Sequence, residues 1–112
     1  MKKKDRILRE ISRVARQVFG DGRGYVYLYG SQARNEGQPN SDWDLLIITD
    51  DNAASADDND AFRRYAFPFA ELGWHLGAQI TPIHYSRSQW EAQRNTVFFH
   101  NVTAEAIRLC AE

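Results

Sequence analysis

Residues 42–49 read Asp-Trp-Asp-Leu-Leu-Ile-Ile-Thr, apolar at nearly every position after Asp44. A strand on a protein surface alternates apolar with polar residues, whereas a strand covered on both faces has no reason to do so. This run therefore requires a sheet with other elements packed on either side of it. At 112 residues the chain has material for one hydrophobic core and too little for two domains of ordinary size. A single domain over residues 1–112 is expected.

The flanking sequence offers the covering layers. In residues 5–19 the apolar positions Ile7, Leu8, Ile11, Val14, Ala15, Val18 and Phe19 recur at steps of three and four, which predicts an amphipathic helix. Gly20, Gly22 and Gly24 stop it and lead into Tyr25-Val-Tyr-Leu-Tyr29, an aromatic and β-branched run that reads as a strand ending at Gly30. Residues 31–36 predict one or two helical turns, and Gly37, Gln38, Pro39 and Asn40 a loop. Residues 50–60 are acidic and without apolar period. They predict a surface loop and then a helix capped by its own carboxylates.

Phe62, Tyr65, Ala66, Phe69 and Leu72 keep helical spacing, but Pro68 removes a backbone donor and must kink or interrupt that helix, with Gly73 and Gly77 bracketing its end. Residues 78–85 alternate well enough for a third strand, and Pro82 suits an edge or a bulge. Ser86 or Ser88 should cap a short helix running through Gln93, and residues 103–109 should form a final helical turn or two. Helices thus alternate with strands. The fold class expected is α/β (α+β), a small mixed β-sheet packed with helices.

Composition excludes several roles. The formal charge of -1 argues against coating nucleic acid, and the lysines and arginines from Lys2 to Arg16 are explained by the solvated face of the first helix. Cys110 is the only cysteine, so no internal disulfide or multi-cysteine metal knuckle can form, which fits a reducing compartment. No run of about 18 apolar residues or signal-like segment occurs, so a soluble cytoplasmic protein is expected. His75, His84 and His100 are scattered without ligand spacing, and zinc is not expected.

Between the first two strands lies the arrangement that carries chemistry. Glycine lets backbone come close to a phosphate, the amides after it can donate, and the Ser31 hydroxyl adds a further donor. On a strand, residues two apart face the same way, so Asp42 and Asp44 should project together while Trp43 turns into the core. Two like charges side by side repel, and a divalent cation resolves the conflict. Mg²⁺ prefers carboxylates together with polyphosphate oxygens and water, which the two halves would jointly offer. Alone, a Gly-Ser is an ordinary turn and an Asp-x-Asp an ordinary strand start. Their conjunction, separated by residues 32–41, is what points to a site.

Tyr29-Gly30-Ser31-Gln32-Ala33-Arg34 followed by Ser41-Asp42-Trp43-Asp44-Leu45-Leu46-Ile47 resembles the signature of the DNA polymerase beta-like nucleotidyltransferase superfamily, in its minimal single-domain branch. The resemblance implies transfer of a nucleoside monophosphate from a nucleoside triphosphate, ATP foremost, to an acceptor hydroxyl on RNA or protein. By the same resemblance Gly30 and Ser31 would hold phosphates, with Arg34 assisting there or bracing the loop and Ser41 completing the binding set. Asp42 and Asp44 would be both the catalytic pair and the Mg²⁺ ligands. Such domains often act beside a helical HEPN protein as the antitoxin of a toxin pair, so a HEPN-type partner is implied as well.

Two departures accompany the match. Working members carry a third carboxylate on a following strand, where this chain has Gln79 or Thr81, neither of which can act as an anionic base. Asn35 stands where glycine is frequent, and asparagine tolerates left-handed backbone well enough to keep the turn. The first departure supports an alternative, a module that keeps the fold and binds NTP and Mg²⁺ or a partner protein without transfer. Trp90, Phe98 and Phe99 are expected to pack over a sheet face, and Cys110 to be a small buried apolar residue.

Overall fold

The computed structural model describes residues 2–20, 22–38, 41–51 and 58–109. Cys110, and residues 52–57 of the expected acidic loop, lie outside that set. Among the described residues five α-helices and four strands follow in chain order: α1 (Lys3–Phe19), β1 (Gly24–Tyr29), β2 (Trp43–Thr49), α2 (Asp58–Ala61), α3 (Phe67–Leu76), β3 (Ile80–Ser86), α4 (Arg87–Glu91), α5 (Val97–Glu105) and β4 (Ile107–Arg108). The strands form one sheet in the order β3-β2-β1-β4. β1 is antiparallel to both β2 and β4, and β2 is parallel to β3, which makes the sheet mixed.

The apolar run sits in β2, between β1 and β3, and both of its faces are covered. Trp43, Leu45 and Ile47 join Val26, Leu28 and Ile80 on one face, against Ile7, Ile11, Val14, Ala15 and Phe19 of α1 and Phe69 and Leu72 of α3. Leu46 and Ile48 point the other way, toward Trp90 and Val102, with Tyr27, Tyr29, Ile83, Tyr85, Phe98 and Phe99 packed around them. Trp90, Phe98 and Phe99 therefore cover a sheet face, as their sequence context suggested.

Pro68 is accommodated at the start of α3 by a single π-helical stretch, Phe62–Ala66, whose wider turn lets the Phe67 N–H reach the Phe62 carbonyl five residues back. Pro82 falls on β3, an edge strand, where its missing donor faces no neighbour. Ser86 caps α4 in a reciprocal capping box with Gln89. The α4 helix closes at Glu91, short of the expected Gln93.

Two expectations fail. Residues 31–36 form successive hydrogen-bonded turns and no helix: the amides of Ala33 and Arg34 both donate to the Gly30 carbonyl, and that of Glu36 donates to the Ser31 carbonyl. Asn35 closes the series with φ of 60°, the left-handed conformation its residue type tolerates. The C-terminal helix starts earlier than expected because Thr96 accepts the Phe99 amide as its cap, and residues 103–109 are helical only as far as Glu105. Ile107 and Arg108 instead pair with the open edge of β1, and the Leu109 amide donates to the Val26 carbonyl at 2.8 Å. Pairing with an exposed strand edge outweighs the local helical pattern there. Among the described residues no helix is long and apolar enough to cross a membrane.

Candidate active site

The site grows from the place where β1 ends beside the start of β2. Tyr29 pairs with Asp44 across the two strands, and Gly30 follows directly. Gly30 has φ of 80°, and a Cβ there would run into the Asp44 carboxylate. Glycine is thus required twice, for the left-handed backbone and for the close approach of an acid to the turn. Among the sequence-predicted residues, Gly30 and Asp44 are in contact.

Asp42 precedes β2 and is exposed, Trp43 is 3% exposed and turned into the core, and Asp44 is half-buried. Burial pushes the Asp44 carboxyl above its ordinary value, and the neighbouring charges of Asp42 and then Glu105 raise it further, with Arg34 opposing. The two aspartates therefore feel one another, as a pair of like charges on one strand start should. Among the described residues no three acids, histidines or cysteines gather closely enough to hold a metal unaided. A pair of carboxylates open to added phosphate oxygens and water fits Mg²⁺, which commonly takes one or two protein carboxylates and completes its shell from substrate.

The turn itself is fixed by a residue that sequence reasoning passed over. Gln32 is 8% exposed, and its Nε2 donates to the carbonyls of Gln38 at 3.1 Å and Ser41 at 3.3 Å. One side chain thereby ties the Gly30-Ser31 turn to the loop that delivers Asp42. The signal available in the sequence was a glutamine directly after Gly-Ser; its burial was not visible there. Ser41 is held in that loop, its hydroxyl accepting the Gln38 amide at 2.9 Å.

Arg34 braces the turn through ion pairs with Glu36 and Glu105, at 2.9 Å in each case. Glu105 ends α5 and was also missed, because nothing local in the sequence connects it to Gly30. Its Oε2 accepts the Gly30 amide, and its other oxygen accepts from Arg34 Nη1. The Tyr29 hydroxyl is pushed up to about 12 by burial first and then by Asp44, Tyr85 and Glu105, so it stays neutral.

A cavity of about 520 Å³ opens between α3 and the start of β3, lined by Lys3, Ser41, Trp74, Gln79 and Thr81 among others and not by the acids. Thr81 lies opposite Asp44 in the parallel register, with Gln79 two positions before it. The position where a third acid was sought is therefore beside Asp44 and carries a hydroxyl. Trp74, 70% exposed, stands at this cavity edge-on to Phe67. His84 faces away, its Nε2 hydrogen-bonded to Thr49 Oγ1 at 2.8 Å and its ring stacked on Tyr65.

A comparison with curated proteins gave no match. Among solved structures, a chain from a toxin-antitoxin crystal structure with AMP-PNP is similar at a TM-score of 0.57 and 19% identity, over 90% of this chain and 73% of that one. A chain from the toxin-antitoxin MntA-HpeT, in a mutant with two Asp-to-Glu changes, is similar at a TM-score of 0.55 and 17% identity, over 90% and 73% of the two chains. These likenesses establish the fold. The family described as "Polymerase beta, Nucleotidyltransferase" matches residues 24–111, the stretch that holds the whole sheet, the glycine turn and both aspartates, and the chain belongs to that family.

Proposed function

We propose that this chain, working as one domain in the cytoplasm, transfers a nucleoside monophosphate from an NTP, ATP foremost, to an acceptor hydroxyl. The observation that carries this reading is the contact between Gly30 and the Asp44 carboxylate, which sets a phosphate-sized turn against a pair of acids. The Gly30-Ser31 turn and Arg34 bind the β and γ phosphates. Asp42 and Asp44 hold Mg²⁺, which supplies charge neutralisation at the phosphates when bound. Ser41 completes the binding set beside them.

In the transfer, the acceptor hydroxyl oxygen forms a bond to the α-phosphorus and loses its proton to water as the bond to the bridging oxygen breaks, and pyrophosphate leaves on the side of the turn. An in-line attacker must then approach from the far side of the acids.

The two similar structures come from toxin-antitoxin complexes, one of them with AMP-PNP, which supports a role as an antitoxin that modifies a toxin partner, of the HEPN type. A second reading is favoured by Thr81: with a hydroxyl opposite Asp44 where a third acid would stand, the chain binds NTP and Mg²⁺ or its partner without transfer. Incubation with Mg²⁺ and ATP labelled at the α-phosphate, alone and with the product of the adjoining reading frame, separates the two. Label appearing in protein or RNA supports the enzyme. Nucleotide binding lost in Asp42→Asn and Asp44→Asn, with no label transferred, supports the binding module, and no nucleotide binding at all removes both.

A further inference from the structure

The Gly30 amide already has an anionic partner. Glu105 Oε2 accepts that N–H at 2.5 Å, and Arg34 Nη1 reaches the two carboxylate oxygens at 2.9 and 3.1 Å. Backbone pairing puts the residue there. Leu28 lies opposite Ile107 and Tyr27 opposite Arg108, so α5, which ends at Glu105 two residues earlier, ends near the end of β1. From there its carboxylate reaches the turn.

A carboxylate bonded to one backbone amide and gripped by an arginine occupies the same kind of seat as a phosphate oxygen. An amide N–H serves one strong acceptor at a time, so a phosphate can take the Gly30 donor only if Glu105 gives it up. We propose that Glu105 is an internal competitor for the phosphate seat, holding the Gly30 turn and Arg34 closed until a polyphosphate displaces it. This rests on the nucleotide-binding reading above and adds to it a residue from α5 that sets how readily the site fills. Displacement needs no movement of the helix, because Glu105 is its last residue and only the side chain must turn. Its departure also frees Arg34 for the incoming phosphates, while Glu36 keeps the guanidinium nearby.

The test is calorimetric titration of the full chain with ATP and Mg²⁺, and separately with inorganic tripolyphosphate and Mg²⁺, comparing the native protein with Glu105→Gln, Glu105→Ala and Glu36→Gln. Removing a competing charged hydrogen bond should tighten both probes by about tenfold in both Glu105 variants. Glu36→Gln, which alters Arg34 without touching the Gly30 amide, should change neither by more than about twofold. Affinity unchanged or weakened in the Glu105 variants overturns the proposal and leaves the nucleotide site standing. Equal tightening in Glu36→Gln also overturns it, since the effect would then be one of general charge. Failure of every form to bind either probe, with melting temperatures unaltered, removes the nucleotide-binding reading and this proposal together.

Discussion

The two faces of the sheet are built differently. One is covered by α1, seventeen residues long, and by α3, and its strand residues Val26, Leu28, Trp43, Leu45 and Ile47 are all buried. The other is covered by α4 and α5, of five and nine residues, and its outward row of Tyr27, Tyr29, Ile83 and Tyr85 is only partly buried. Asp44 belongs to this second row, two residues before Leu46. Asp44 thus lies on the more thinly covered face, and neighbouring residues of one strand divide the work. Trp43 anchors the sheet and Asp44 faces the proposed site, so stability and activity should respond to different substitutions.

The largest effect expected is on the thick face. Phe69, with no exposed surface, meets α1 and the sheet there, and Phe69→Ala leaves a cavity costing about 3–5 kcal/mol. For a chain of this size that lowers the melting temperature by more than about 10 °C. In the protein that remains folded, nucleotide affinity should be retained. Thermal melting and calorimetric titration of the same sample check both halves, and a loss of affinity in the folded fraction would break the division between the faces.

Asp44→Asn should do the reverse. If the proposed site is right and Asp44 is a direct ligand, this should cost more than the roughly 10–100-fold in Mg²⁺-dependent ATP binding that outer-shell partners of a metal carry. The melting temperature should hold or rise, because the carboxylate removed is disfavoured in the native state by burial and by Asp42 and Glu105. Destabilisation on this substitution would mean that Asp44 supports the fold, and the comparison would fail from the other side.

Much of this was legible before any coordinates, and the reason is local. Helix α1 announces itself by period, β2 by an unbroken apolar run, β3 as an edge or bulged strand by Pro82, and the Gly30 turn by a dipeptide whose conformation few other residues allow. What escaped is relational. The pairing of Ile107–Arg108 with β1 depends on which strand edge is left open, and the arrival of Glu105 at Gly30 depends on that pairing. Neither has a signature within its own ten residues. Gln32 sits between the two cases: its burial is set by a loop six to nine positions away, yet its place directly after Gly30-Ser31 was visible. The turns of residues 31–36 were misread as helix because the composition there suits both, and the left-handed Asn35 decides between them.

A smaller effect sharpens the contrast on the thin face. The α4 helix is too short to stand on its own hydrogen bonds and relies on the Ser86 capping box, with Trp90 as its one buried residue. Ser86→Ala should cost about 1 kcal/mol. Chemical denaturation of the variant reads this directly. A loss as large as that of Phe69→Ala would show that the thin face carries as much of the fold as the thick one.

The smallest effect concerns how α4 is tied to the end of β2. Asp51 accepts the Ser88 amide at 3.0 Å and the Ser88 hydroxyl, and these bonds hold its carboxyl below the ordinary value of 3.8. Since the native state favours the ionised form, the stability it contributes is fully present above the unfolded-state value and fades as pH falls through that value toward the native one. Asp51 is fully exposed, so the contribution is small and salt-sensitive. Asp51→Asn keeps the shape and one acceptor but loses the charge. The native protein should therefore lose more of its melting temperature than the variant between about pH 5 and about pH 3. Parallel acid melting curves for the two proteins would show that this link plays no part in holding α4, and would leave the thin face to its cap and its aromatic packing alone.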